Sequence, residues 1–472
     1  MKLFRDKFFL LILAIIFLVG ILLYQDILNV NYSYIGDEYP FFDYAKEILT
    51  NPQFKPSIFS QSGVYGYHPV LDSYIHAFFM SIFGINLVGW KITNIVAISL
   101  SSLLIYFLSN NLFREKIYGV VAVVFFSFSH FLISFAHIGY NNLHSLIPFL
   151  SAVYFFSKYL KTNSKREIFL TGIFSGASFY TFYSARLIVV LIPIFLFFNR
   201  RMILSYLQGL IITTLPFLWV NGTSITYHML DQTLDSTLYK GWNWFGMSQF
   251  LLGLFNAQNI PKHHYFIGPF LNLMMSICLI AGIVLLYKSN KVSFWVKILL
   301  LCWTIFVPFF IIITFRPEIP ITRLHIVLPA MALVASYGLV KLVKRRSVIL
   351  LLLFAYVIIE LFTFYIETPQ KIRLSSESLV LKLASLNNES ITCVMTDATD
   401  ASFSVLDNLA IQYHANIKII DSIDNTLFYN CGIVVVRDSG NDFLTLDKYC
   451  DGTNTNCLSY YREKNEKSDK RY

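Results

Sequence analysis

Charged side chains are scarce in this sequence. Of its 472 residues, 37 are Lys or Arg and 28 are Asp or Glu, 14% together, where an average soluble domain carries about 25%. That balance excludes a disordered chain, a disulfide-stapled mini-domain and an ordinary cytosolic enzyme. Acidic residues are scarcer still inside the apolar stretches. Once boundary positions are set aside they reduce to Glu360, near the outer end of its run. No internal repeat is evident either. Transporters commonly carry inverted repeats and mid-membrane ionisable groups, so the lack of both argues against ion-coupled transport. A basic stripe is missing too. The formal net charge is +9, yet from Glu367 onward 15 acidic residues outnumber 11 basic ones, and the other cations sit in short loops. Such a distribution encodes membrane topology rather than tracking a nucleic-acid backbone.

Apolar surface fills the remainder. Hydrophobic residues make up 56%, with 45 Phe and 29 Tyr, and the mean hydropathy is +0.58. Runs long enough to cross about 30 Å of hydrocarbon lie near 8–24, 88–109, 117–136, 143–160, 167–183, 186–199, 203–220, 266–287, 292–314, 324–342 and 347–366. The expected fold class is therefore mainly α. A polytopic bundle of about eleven transmembrane helices occupies 1–366, and a small extracytoplasmic α/β domain follows over 367–472. In that tail, β-like runs at Ile391–Met395, Ile417–Ile420 and Gly432–Val436 alternate with helix-like stretches, and no catalytic signature is visible.

With a cytoplasmic N-terminus, six short inner segments collect 17 cations, from Lys2, Arg5 and Lys7 to Lys341, Lys344, Arg345 and Arg346. The outer loops hold eight, as the positive-inside rule demands. An odd number of spans then places the tail outside. The first helix lacks a small-residue cleavage site and reads as a retained span. Four of the six cysteines (Cys393, Cys431, Cys450, Cys457) fall in the tail, where an oxidising compartment permits pairing in any of three ways. Cys278 and Cys302 lie in apolar runs and read as buried free thiols.

Two outer loops, 25–87 and 221–265, are too long to be mere connectors. The first carries Asp37 and Glu38 within Gly36-Asp37-Glu38-Tyr39-Pro40, and later Tyr67-His68-Pro69-Val70-Leu71-Asp72. Asp37 and Glu38 read either as the first turn of a helix or as carboxylates facing a cavity. Pro69–Phe83 is expected to be a helix lying in the outer interface. On it His68, Asp72 and His76 share one face, a wet face or a ligand-binding one. The second loop holds Lys262-His263-His264-Tyr265, whose histidines read as solvated or as metal ligands. Arg323 and His325 follow Pro320 at the start of an apolar helix, placed to anchor at the headgroups or to bind an anion. Asn31, Asn221 and Asn388 stand in N-x-[ST] frames.

Taken in order, these features resemble the GT-C superfamily of polytopic glycosyltransferases, nearest to glycosyltransferase family 39 and its kin, the protein O-mannosyltransferase and aminoarabinose-transferase group. Four segments carry the resemblance: the Asp37-Glu38 pair after the first span; YHPVLDSYIHAFFMSIFGIN (Tyr67–Asn86), similar to an interface helix of the HPPL type; SFYTFYSARLIVVLIP (Ser178–Pro193), similar to a helix pair joined near an Arg; and TRLHIVLPAMALVASYGL (Thr322–Leu339), similar to a late helix with a leading Arg. The likeness runs over about Met1 to Arg346. Lys91 stands where relatives often have Arg, and Asn141-Asn142 where many have an acidic residue.

The resemblance implies an inverting enzyme that moves a sugar from a polyprenyl-phosphate donor to a hydroxyl outside the membrane, on a protein, lipid or glycan. It implies Asp37 as general base, with Glu38 positioning the base or the acceptor. Arg323, Arg186 and Lys91 would neutralise the departing phosphate, and His68, Asp72, His263, His264 and His325 would line the substrates. It leaves the cofactor open; a divalent cation (Mg or Mn) bridging Glu38, His68 or His263/His264 and the phosphate is one alternative. The partners are that donor, the acceptor and membrane lipids, with no nucleic acid. Rival readings are a flippase or transporter of lipid-linked glycans, an oligosaccharide ligase or polymerase, and a non-catalytic scaffold.

Overall fold

In the computed structural model the chain divides into two units, Met1–Gln25 with Phe42–Phe364 and Asp26–Phe41 with Tyr365–Tyr472. The structure describes residues 6–27, 39–113, 115–137, 139–197, 202–222, 251, 269–314 and 321–367, and the backbone of five strands between 391 and 462.

Every apolar run of the sequence carries helix. Hydrocarbon offers no water to a free N–H or C=O, so a segment that satisfies its own backbone is the favoured solution. In chain order come α1 (Lys7–Ile27), α2 (Tyr39–Thr50), α3 (Val70–Phe83), α4 (Leu87–Leu112), α5 (Ile117–Ser127), α6 (His130–Ala136), α7 (Leu146–Thr162) and α8 (Lys165–Ala177). They are followed by α9 (Ile188–Leu196), α10 (Ile203–Asn221), α11 (Leu273–Lys288), α12 (Phe294–Leu301), α13 (Val307–Thr314), α14 (Ile321–Leu324), α15 (Leu328–Leu342) and α16 (Arg346–Phe362). Among the described residues five helical segments are long and apolar enough to cross a bilayer, and the α5/α6 pair, bent by 57°, makes a sixth. The other expected runs are shorter or broken, Tyr183–Leu196, Leu273–Lys288 and Leu328–Leu342 among them.

The outward-facing side chains are those of a protein solvated by lipid. Phe17, Leu204, Ile212, Leu351 and Phe354 all stand mostly exposed, and Trp219 near the end of α10 is 86% exposed. The same logic reverses α3. Its polar face, read from sequence as wet or ligand-binding, is buried: Asp72 and His76 are only 2% and 1% exposed, while Phe78 and Ile82 on the opposite side are more than half exposed. When the surroundings are apolar, the polar stripe of an amphipathic helix turns inward.

Three local devices shape this unit. The α5/α6 break is closed from outside the pair, because the Ser129 side chain makes no cap. Instead the buried carboxylate of Glu360 on α16 accepts the His130 backbone N–H at 2.7 Å and pairs with the His130 ring. Between α12 and α13 the helix passes through a π turn, Cys302–Phe306. Pro308 follows it closely and has no N–H to return to the preceding turn. Finally, α11 and α15 approach at backbone contact: a Cβ on Gly338 would fall 2.0 Å from the Cys278 carbonyl oxygen, and one on Gly282 would fall 2.1 Å from that of Val334.

The second unit contains a five-stranded sheet of order β2-β1-β3-β5-β4, with β1 Ile391–Met395, β2 Ile417–Ile420, β3 Cys431–Arg437, β4 Leu444–Cys450 and β5 Cys457–Arg462. β1 runs parallel to β2 and β3, whereas β5 is antiparallel to β3 and β4. The last hairpin sets Cys450 opposite Cys457 in register.

The α11/α15 contact leads to a stability prediction. Gly338→Leu should cost about 1–3 kcal/mol or more through overpacking and lower the thermal midpoint in detergent. Leu342→Ala on the exposed side of the same helix should leave the midpoint nearly unchanged. Equal effects of the two substitutions would remove the close approach as a stabilising feature.

Candidate functional site

The loop ahead of α3 folds back on itself and delivers His68. The Gly63 N–H donates to the His68 carbonyl at 2.9 Å, the His68 N–H to that of Val64 at 3.1 Å and the Val70 N–H to that of Ser60 at 3.0 Å. The tip turns through the left-handed region at Tyr65 and Gly66, φ 56° and 75°. Extended backbone at Pro69 then starts α3. The His68 ring lies between aromatic neighbours, 4.8 Å from Tyr67 and stacked 6.0 Å from Phe182. The Asn141 amide donates to its Nδ1 at 3.4 Å. Burial first, and then the charges of Arg186 and Arg323, hold the imidazole down at about 3.

Those two arginines arrive from distant parts of the chain. α8 ends at Ala177, and two short 3-10 turns, Ser178–Tyr180 and Tyr183–Leu187, separate it from α9. Arg186 sits in the second turn with its guanidinium over the rings of Phe179 and Phe217, 5.3 Å from each. Its Nη2 donates to the Gln61 side-chain oxygen at 3.3 Å and to the Phe179 carbonyl at 3.1 Å. Arg323 belongs to α14. Its Nη2 donates to the Tyr183 hydroxyl at 2.7 Å, and its guanidinium lies 4.9 Å from that ring. The turn after α14 is held by Trp303, whose Nε1–H donates to the Ile326 carbonyl at 2.9 Å.

A polar network underlies His68. The His144 Nδ1–H donates to Asp72 Oδ1 at 3.1 Å, and the His76 ring lies 4.9 Å from that of His144. Burial pushes the Asp72 carboxyl well up from the usual carboxylate range, while the Asn141 amide acts in the opposite direction. Next in sequence, the Ser145 hydroxyl donates to the Asn142 carbonyl at 2.6 Å and stands 2.8 Å from His325 Nε2. Because the hydroxyl has a single proton and it is committed, His325 donates and Ser145 accepts. Ser184 Oγ is 3.4 Å from the same nitrogen. Asp72, His144, Ser145, His325 and Ser184 thus tie α3, the 143–145 turn, the α14–α15 link and the Arg186 turn together.

Of the residues expected from sequence, the structure gathers His68, Asp72, His325, Arg186 and Arg323. Lys91 is buried in α4, with Nζ donating to the His137 carbonyl at 2.5 Å. Asp37, Glu38, His263 and His264 lie outside the described residues. The sequence reading missed Gln61, His144, Ser145, Phe182, Tyr183 and Trp303. Each is polar or aromatic in an aromatic-rich chain and meets its partner 23 to 180 residues away; Phe182 and Tyr183 fall in the Ser178–Pro193 segment, yet nothing in that segment singles them out.

The gathered groups make a cationic, aromatic-walled cluster whose chemistry suits an anion. Two guanidiniums offer forked donors to phosphate oxygens, and the neutral His68 accepts rather than competing as a third cation. Acid should undo this arrangement. Below about 6.5 the unfolded chain takes up a proton at His68 that the folded protein refuses until about 3. The stabilisation is therefore complete above about 6.5 and is lost as pH falls toward 3. Thermal midpoints measured between pH 7 and pH 4 should fall for the wild type and fall less for His68→Gln; parallel curves would contradict the assignment.

Comparison with known proteins bears on the fold and on one segment of the sequence. Residues 67–221, which carry His68, Asp72, His144 and Arg186, match the family described as dolichyl-phosphate-mannose-protein mannosyltransferase. The fold matches the crystal structure of ArnT from Cupriavidus metallidurans bound to undecaprenyl phosphate, with TM-score 0.56 and 10% identity. It also matches ArnT in the apo state, with TM-score 0.53 and 11% identity. Both alignments cover 95% of this chain and 97% of the other. No curated protein matches the chain in sequence. The chain thus has the fold of these ArnT structures, and its segment 67–221 matches the mannosyltransferase family model.

Proposed function

We propose that the chain transfers a sugar from a polyprenyl-phosphate donor to a hydroxyl acceptor on the outer side of the membrane. The observation that carries this reading is the grouping of Arg186, Arg323 and His68 about the Tyr183–Leu187 turn: Arg186 lies in the turn, Arg323 bonds Tyr183, and His68 stacks on the preceding Phe182. ArnT in complex with undecaprenyl phosphate, a polyprenyl phosphate bound to the same fold, supports the choice of donor. Such a donor keeps its lipid in the bilayer and its phosphate and sugar at the surface, so the site must be assembled from outer loops and helix ends. Those are the parts that bear the arginines and His68.

In the reaction, the acceptor oxygen attacks the anomeric carbon as the bond to the phosphate oxygen breaks. The phosphate departs with the bonding electron pair, and one displacement inverts the anomeric centre. Phosphate is already an adequate leaving group, so the protein has two tasks. It must stabilise the charge developing on the phosphate, and it must remove the acceptor proton. Arg186 and Arg323 perform the first. For the second we retain Asp37, read from the sequence, with Glu38 positioning the base or the acceptor; Asp37 takes the hydroxyl proton. Holding both substrates in line supplies much of the remaining acceleration. A divalent ion, where bound, would be held by Glu38, His68 or His263/His264 and would add positive charge at the phosphate; of those residues only His68 lies among the described ones.

The test is incubation of reconstituted protein with polyprenyl-phosphate sugars, followed by mass analysis of the glycosylated product. Arg323→Ala should weaken transfer by roughly a hundredfold, the scale of losing one charge-stabilising donor, and Asp37→Asn should lower it by at least as much. Transfer within a few-fold of wild type by Asp37→Asn would dismiss the base. Unchanged turnover and donor affinity in Arg323→Ala would dismiss the phosphate site. Full activity after EDTA treatment would dismiss an essential divalent ion.

A further inference from the structure

Asn221 closes α10 and stands in an N-x-[ST] frame, yet its side chain is engaged in hydrogen bonds at both ends of its amide. Oδ1 accepts the Gln61 backbone N–H at 2.7 Å. Nδ2 donates to the Phe59 and Phe217 carbonyls, at 2.7 Å each. A glycan on Nδ2 would leave one N–H where two are used. The clasp joins the loop before α3 to the end of α10 across a sequence separation of 160 residues. It also closes over the aromatic group of Phe59, Phe179, Tyr180 and Phe217, two of whose rings face the Arg186 guanidinium. The clasp thereby fixes Gln61, and the Gln61 amide oxygen in turn takes an Arg186 N–H at 3.3 Å.

We propose that Asn221 and Gln61 are positioning residues for Arg186: Asn221 pins the 59–61 loop to α10, and Gln61 orients the guanidinium toward the donor phosphate without cancelling its charge. The chemistry of an amide explains the second part. A neutral oxygen accepts one N–H and leaves the cation its charge, whereas a carboxylate there would form a bidentate ion pair and satisfy the cation itself. Asn221 suits the first part because its amide accepts from one backbone group while donating to two others. The proposal rests on the reading of Arg186 as a phosphate ligand.

Binding of a long-chain polyprenyl monophosphate to the full-length protein in nanodiscs tests it, with thermal midpoints recorded in parallel. Asn221→Ala and Gln61→Met should each weaken binding by roughly 5- to 10-fold, the effect of one oriented hydrogen bond. Both losses should vanish in an Arg186→Ala background, because the coupled residues act through that side chain. Gln61→Glu should keep the wild-type midpoint or raise it while weakening binding by roughly tenfold; a merely structural Gln61 would show no such split. If Asn221→Ala does not fold, the two Gln61 variants decide. Wild-type affinity in Gln61→Met and Gln61→Glu, or losses that persist without Arg186, would overturn the proposal while leaving the phosphate site standing. Wild-type affinity in Arg186→Ala alone would overturn the phosphate reading and this proposal with it.

Discussion

The grouping of Arg186, Arg323 and His68 about the Tyr183–Leu187 turn is the constraint that organises the helical unit. Cations removed from water are costly unless oxygen acceptors and π faces replace their hydration. Around Arg186 these include the Phe179 carbonyl, the Gln61 amide and two phenyl faces; around Arg323 they include the Tyr183 hydroxyl and ring. A neutral carbonyl, amide or hydroxyl among its partners leaves a cation its charge. A carboxylate in their place would stabilise the fold more directly and leave less positive charge for an incoming phosphate.

Irregular backbone follows from the same requirement. A straight transmembrane helix presents side chains to lipid or to its neighbours, but it does not bring polar groups from several helices to one point. The unit therefore interrupts its helices around the site: α8 gives way to two short turns before α9, and α14 is separated from α15 by a turn that Trp303 braces. The α5/α6 break belongs to the same class, with its freed amide bonded to Glu360. Glu360 thus has a structural use that accounts for an acidic residue in an apolar run. Buried backbone polar groups tolerate such breaks only when partners are at hand.

Much of the helical architecture was legible in the sequence. Apolar runs without charge can only be helices in lipid, and each expected run does carry helix. Their lengths and bends were less legible, because Pro308, the π turn and the α5/α6 break act through geometry that hydropathy does not encode. Site residues divide along a similar line. Arg186, Arg323, His68, Asp72 and His325 stand out as polar groups in an apolar chain. Ser145, Tyr183 and Gln61 do not, since Ser, Tyr and Gln occur at many positions and acquire meaning only from a partner 125 to 180 residues away.

Asp72 and His76 show where the division falls. Their four-residue spacing alone determined that they share a helical face, because 3.6 residues per turn fixes that relation without reference to anything outside the helix. Periodicity carries no information about what the face meets. Only packing decided that it turns inward toward His144, since the opposite face carries Phe78 and Ile82 and the alternative would have set a carboxyl and an imidazole against hydrocarbon.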